Sequence, residues 1–409
     1  MKYAYLTCEL LGRDLDSRLL IAADLLRRGI TCVIGQQWSI FGNLHQAPKG
    51  VVLFKTANEI QGRMAERAKQ DGHMVVMSDE EVLAISSPGE IARITSPLSV
   101  QFADVFLTMD ARHSGVIDGV LPGKSKIVGN ARVDLLMNHG EIYRSEANET
   151  RKAGPHILFN TSFGTFNSVW GSPEEALGVA YKTMESAVGS EKAKIIADNI
   201  LTFERANFAT MKDILAWTRA TFPQRVVLRP HPAEKADVWR SFQGVEVVEK
   251  TNPIPWLLGS DLMIHASSTT GLEGALLGTP CLNVVAGDAE SFGQTYFISE
   301  VNHTVRSVED AKSAIAAFLS HRSGPIAEQP RPAFLADAAK KTADAIAELA
   351  VDAPELRAWG PTEAKKRQIE KFDIAPKDFI ARTKRIFDAA GVKSVQIGTL
   401  DRALFMLVP

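Results

Sequence analysis

The chain has 409 residues, more than one hydrophobic core usually supports, so two domains are expected. Hydrophobic residues make up 45% and charged residues 23%, which excludes a disordered chain, and a formal net charge of −2 gives no general attraction to nucleic acid. Cys8, Cys32 and Cys281 sit far apart in apolar runs, without zinc or redox spacing, and read as core residues of a reducing compartment.

The amino end runs from Met1-Lys2 into Tyr3-Ala4-Tyr5-Leu6, with Glu9 close behind, so no signal peptide is legible. No apolar run approaches the roughly 20 residues that span a bilayer. Cytoplasmic residence is the expectation, with peripheral contact at the inner face of the membrane left open. Residues 3–8 predict a strand, and Leu15, Leu19, Ala22 and Leu26 then recur at helical spacing up to Gly29. Thr31-Cys32-Val33-Ile34 follows as the next strand, which completes a βαβ opening with Arg13, Asp14 and Arg18 near its first strand-to-helix turn. Apolar runs at 51–54, 74–77, 105–107 and 126–128 extend the pattern to a doubly wound parallel sheet, an α/β fold.

The polar stretch 138–155 marks a junction, which gives a first domain over 1–145. A second α/β domain is expected over 156–350, with strands at 156–159, 226–228, 245–248, 262–264 and 281–285 and a long helical region at 173–222. The rest, 351–409, is expected to be a helical tail. There Phe379, Ile380, Ile386 and Phe387 share a helical face, near the basic residues Lys365-Lys366-Arg367 and Lys384-Arg385. Such a segment suits either an anionic membrane surface or a helix packed across the domains.

Two stretches in the second domain carry the chemistry. Arg229-Pro230-His231-Pro232 ends a strand with prolines that stop sheet pairing and hold a histidine at its carboxyl end, where open α/β sheets bind ligands. His265-Ala266-Ser267-Ser268-Thr269-Thr270-Gly271 leads from an apolar strand into a helix closed by Gly278 and Pro280. Free N–H groups, hydroxyls and a helix dipole there predict an anion site, most often for phosphate.

Together these features resemble the GT-B fold, two Rossmann-like domains facing a cleft. Arg13-Asp14, Lys55, Asp79-Glu80-Glu81, Gly129-Asn130-Ala131-Arg132-Val133-Asp134, Phe159-Asn160-Thr161, the Arg-Pro-His-Pro and Ser-Ser-Thr-Thr-Gly-Leu-Glu resemble, in that order, the surface carbohydrate biosynthesis family, over roughly residues 5–300. A more distant similarity is to bacterial sialyltransferases and capsule Kdo transferases, which carry an acidic motif, a His-Pro motif and a Ser/Thr pair. Here those correspond to Asp79-Glu80-Glu81, His231-Pro232 and Ser267-Ser268 or Ser268-Thr269, with Val82 or Glu81 standing where a glycine is expected.

The resemblance implies a glycosyltransferase of surface polysaccharide or glycoprotein biosynthesis that moves a sugar, plausibly an ulosonic acid from its CMP form, to a glycan, glycolipid or glycoprotein acceptor. Asp79 or Glu80 is the expected base and His231 the stabiliser of the leaving phosphate. Arg229, His265, Ser267, Ser268, Thr269, Thr270 and Glu273 are the expected donor contacts, with Ser268 and Thr269 foremost. Arg229 has a second option, pairing with Glu234, and for His265 at the end of an apolar strand a satisfied core histidine is the default reading.

Arg13, Lys55 and Arg132 are expected to converge as a cationic acceptor pocket suited to an acidic sugar or a phosphate. No metal and no cofactor beyond the nucleotide sugar are expected: Asp14-Leu15-Asp16 falls at a helix start, where the two acids point apart, and there is no Walker lysine motif and no Gly-x-Gly-x-x-Gly. The rivals are a UDP-sugar 2-epimerase, a CDP-glycerol-type transferase and, from another class, a non-catalytic nucleotide-sugar-binding scaffold.

Overall fold

A computed structural model describes residues 1–85, 87–249, 251–286, 298–329, 332–356, 358–361 and 365–409. The chain forms two compact units, one of residues 1–83, 88–142 and 334–409 and the other of residues 84–87 and 143–333.

Unit 1 is built on strands β1 (Lys2–Cys8), β2 (Ile30–Gln36), β3 (Val51–Leu53), β4 (Met74–Ser78), β5 (Val105–Thr108), β6 (Ser125–Ile127), β13 (Gln396–Asp401) and β14 (Leu404–Val408). They are ordered β13-β14-β2-β1-β3-β4-β5-β6. The six from β1 to β6 are parallel, and the chain reverses its direction of travel across the sheet between β1 and β3. That switch is where loops diverge and a ligand crevice opens in such sheets.

The expected helical tail is corrected here. Beyond the helix Pro376–Ala390 the chain forms an antiparallel hairpin, and β14 pairs antiparallel with β2 at the sheet's edge. Gly35 permits it, because a side chain at that position would strike the Ala403 carbonyl. Nor does the amphipathic helix offer its apolar face to a membrane. Phe379, Ile386 and Phe387 are buried in the unit 1 core, and only Ile380 is exposed. Each buried side chain stabilises the fold by about 2 kcal/mol. The Phe379 ring stacks on Phe405 of the hairpin at 3.7 Å between centroids.

The cause lies in the helix Leu11–Arg27, which is apolar on both faces: Leu15, Leu19, Ala22 and Leu26, but also Leu20, Ile21 and Leu25, are buried. One face covers the sheet and the other needs a cover of its own. Helix Ala338–Leu349, grouped with the second domain in the sequence reading, lies in unit 1, and its Ala339 N–H donates to Asp134.

Unit 2 is built on β7 (His156–Asn160), β8 (Arg225–Arg229), β9 (Val245–Val247), β10 (Ser260–His265), β11 (Cys281–Val284) and β12 (His303–Val305), all parallel. Their order, β12-β11-β10-β7-β8-β9, places the first and fourth strands of the unit side by side at its centre. The expected helical region at 173–222 is two helices, Pro173–Val188 and Ser190–Thr221, divided at Gly189. Among the described residues no helix is long and apolar enough to cross a membrane.

Candidate functional site

In unit 2 the topological switch lies between β7 and β10, and the polar residues of both sequence motifs gather at the carboxyl ends of β7, β8 and β10. Asn160, the last residue of β7, joins them. Its Nδ2 donates to Ser268 Oγ and to Thr270 Oγ1, each at 3.2 Å, while its Oδ1 accepts from Arg229 Nη1 at 3.2 Å. Asn160 is 2% exposed, so the bonds run through the protein interior.

The His-Pro loop is held by Glu234. One oxygen of this buried carboxylate accepts from the Thr161 hydroxyl at 2.8 Å and from the N–H groups of Phe163 and His231 at 3.0 Å; the other accepts from Trp239 Nε1. Burial raises the Glu234 pKa and these bonds oppose the rise. Arg229 therefore does not pair with Glu234. Its guanidinium turns to the Thr251 carbonyl as well as to Asn160.

His231 is exposed, but the protein around it and, next, the Arg229 charge hold its pKa below the ordinary imidazole value. Its Nδ1 accepts from the Ala233 N–H at 3.2 Å. The proton of the neutral ring then sits on Nε2, which makes that atom a hydrogen-bond donor.

The hydroxyl loop is arranged differently from the expectation. The Ser267 N–H donates to Asn283 and the Ser268 N–H to His265 Nδ1, while the Ser268 hydroxyl donates to Thr270. These groups are consumed in shaping the loop. Ser267, half-buried in a left-handed conformation at φ 47°, and the exposed Thr269 are the hydroxyls that face outward from this knot. Ser268 is 8% exposed, and its hydroxyl is bonded to Asn160 and Thr270.

His265 takes its core reading. It is wholly buried, with Nε2 against Asn302 at 3.0 Å, and burial lowers its pKa to about 4. It is a neutral support behind the loop. Gly271 lets the helix Thr270–Leu277 start against this pair, since a side chain there would collide with His265 and Asn302. Glu273 in that helix is buried, not solvated.

In unit 1, Asp79 follows β4 and is 5% exposed. Its Oδ2 accepts from the Ala57 N–H and its Oδ1 from the Glu81 N–H, both at 2.9 Å, and burial raises its pKa to about 7 despite these bonds. Glu80 is bound to Arg18 at 2.8 Å and Glu81 to Arg13 at 3.0 Å. The Asp79 carboxyl is thus held near neutrality, where a general base works best.

Arg13, Lys55 and Arg132 do come together, but not as a bare cationic pocket. Lys55 is 1% exposed and lies 3.1 Å from Glu9 and 3.8 Å from Asp14. Burial pulls its pKa down, and the Asp14 and Glu9 carboxylates more than offset this. Arg13 also binds Asp14, and Arg132 donates to the Arg13 carbonyl. The charges of Arg13 and Lys55 are thus matched internally.

The sequence reading passed over Asn160, Glu234 and Arg18 as site residues. It also passed over Glu204, a buried carboxylate that accepts from the Thr165 and Phe166 N–H groups and whose pKa burial raises to about 7. Glu234 had a signal: a carboxylate three residues after a histidine in a proline-bounded turn can close on that histidine's N–H.

No family model matches the chain, and no curated protein matches it. Solved structures do. The chain is similar to UDP-GlcNAc 2-epimerase from Methanocaldococcus jannaschii, with a TM-score of 0.52 and 12% identity over 85% of this chain and 99% of that one. A Listeria monocytogenes protein assigned as a UDP-N-acetylglucosamine 2-epimerase gives 0.51 and 11% over 84% and 95%. The wall teichoic acid polymerase TagF gives 0.41 and 10% over 85% and 88%, too distant to carry an argument. The fold is thus α/β of the GT-B type, with two Rossmann-like units. At these identities the likeness shows the fold alone.

Proposed function

We propose that this chain is a glycosyltransferase that moves a sugar from a nucleotide donor to a hydroxyl of a surface-glycan, glycolipid or glycoprotein acceptor. The observation that carries the reading is Asn160, which ties the Arg-Pro-His-Pro turn to the hydroxyl loop at the switch point of unit 2. Two loops locked together there form a rigid seat for the donor's phosphate. His231 Nε2–H, Thr269 and Ser267 are its donors in this reading.

The seat consists of hydroxyls and a neutral histidine, with Arg229 turned to a carbonyl and an amide. Such a set suits the single charge on the phosphodiester of a CMP-linked sugar better than the two charges on a diphosphate. The acceptor hydroxyl attacks the anomeric carbon, the bond from that carbon to the phosphate oxygen breaks, and the nucleotide leaves with the electron pair. Asp79 takes the hydroxyl proton, and His231 hydrogen-bonds the departing phosphate. The scheme uses no metal and no cofactor.

Asp79→Asn is expected to abolish transfer while leaving nucleotide binding intact. Full activity in that variant removes Asp79 from the mechanism. A second reading, a 2-epimerase, is compatible with the same fold. Incubation with UDP-N-acetylglucosamine alone separates the two, because only the epimerase forms product without an acceptor.

A further inference from the structure

Four strands of unit 1, β3 to β6, end around a small polar pocket lined by Arg18, Ser78, Asp79, Glu80, Asn130 and Thr342, with Leu107, Met109 and Val128 on its apolar side. Arg18 is 2% exposed. Its Nε donates to the Thr7 carbonyl and its Nη1 to Glu80 Oε1, but Nη2 has no partner among the described residues. The same holds for Glu80 Oε2. A buried donor and a buried acceptor left open each weaken the fold, the more so where the group is charged.

We propose that this pocket is a subsite for a neutral sugar, in which Arg18 donates to, and Glu80 accepts from, the hydroxyls of one diol or hydroxymethyl arm. A sugar hydroxyl both donates and accepts, so one such arm satisfies both open atoms. The pocket holds ≈ 30 Å³, and about 10–15 Å³ admits one water, so the space fits roughly two water-sized groups and not a whole ring. The apolar wall of Leu107 and Met109 suits the C–H side of the same arm.

Charge selects the neutral class. Arg18 is matched by Glu80, Arg13 by Asp14 and Glu81, and Lys55 by Glu9 and Asp14. A carboxylate or phosphate entering here would face Glu80 and Asp79 without an unmatched cation to receive it. The proposal rests on the transferase reading, whose acceptor then presents a neutral glycan where an acidic sugar was expected from sequence.

Saturation-transfer NMR tests it, with methyl β-galactoside and methyl β-glucoside as neutral probes and the methyl glycoside of glucuronic acid as the acidic one. The full chain is compared with Arg18→Met, with the double variant Arg18→Met/Glu80→Leu, and with Thr342→Leu, which fills the pocket. The double variant replaces a buried ion pair by apolar groups, a change that proteins commonly tolerate. Transfer to a neutral glycoside is expected in the wild type and falls by about tenfold or more in the double variant and in Thr342→Leu, equivalent to ~1.4 kcal/mol. Preference for the acidic probe, or equal neutral binding in all the proteins, overturns the subsite. Calorimetric titration with CMP and UDP on the same samples separates the two claims. Nucleotide binding without any neutral-glycoside binding removes the subsite and leaves the transferase reading, whereas absence of nucleotide binding removes that reading itself.

Discussion

The two units place polar groups at the carboxyl ends of their central strands, yet the designs are opposite. In unit 2 the link between the loops runs through a neutral amide, from Arg229 through Asn160 to the hydroxyls of Ser268 and Thr270, with two histidines beside it held below the ordinary imidazole pKa. In unit 1 the loops are joined by ion pairs, with Arg13, Arg18 and Lys55 each answered by carboxylates. Fixed dipoles without countercharge leave room for an anion that arrives with the ligand. Matched charges leave none, but they can divide their remaining donors and acceptors with a hydroxyl. The difference assigns the phosphate to one unit and the hydroxyl to the other.

That contrast can be broken at several points. The largest effect is expected from Asp79→Asn, a loss of about 10²–10⁴ in kcat with nucleotide affinity unchanged. Because the base must be deprotonated, kcat of the wild type is expected to rise through about pH 7, the value to which burial lifts Asp79. His231→Ala removes the donor at the phosphate and is expected to cost about 10²–10³ in turnover. Steady-state kinetics with the cognate donor read both.

Next in size is a stability effect away from the chemistry. Glu204 holds its proton more tightly folded than unfolded, so its contribution is full below the ordinary value of 4.5 and is lost as pH rises through about 7. Glu204→Gln is expected to remove up to about 3 kcal/mol of that pH dependence, read as a flatter Tm between pH 5 and 8. His265 works in the other direction: its folded pKa of about 4 lies below the ordinary 6.5, so its contribution is full above that value and is lost as pH falls toward 4.

Asn160→Ala is expected to cost about 1–3 kcal/mol, because it strands the partners of three buried hydrogen bonds. It should raise KM for the donor more than it lowers kcat if its work is to position the loops. The smallest change is expected from Thr269→Ala, about 1 kcal/mol of nucleotide affinity for a single exposed hydroxyl, with melting temperature unchanged.

Strands β1 to β11 were legible because buried parallel strands are continuous apolar runs, and the Arg-Pro-His-Pro turn because proline fixes local geometry whatever surrounds it. The hairpin at 396–408 was not legible. Its pairing with β2 depends on Gly35 and on an uncovered helix face hundreds of residues earlier. The site shows the same division. His231 and Asp79 stand in local motifs, whereas Asn160 and Arg18 are single polar residues whose roles come from partners that only the fold brings near. Lys55 stands where the sequence put it, but strand-end position alone does not show that Glu9 and Asp14 answer its charge.

The most direct test of this division is calorimetric titration of CMP, CDP, UDP and GDP into the full chain and into His231→Ala and Asp79→Asn. A nucleotide is expected to bind the wild type and Asp79→Asn equally, and to bind His231→Ala at least about tenfold more weakly, ~1.4 kcal/mol. Equal affinity in His231→Ala, or a loss confined to Asp79→Asn, would contradict the assignment of the phosphate to unit 2.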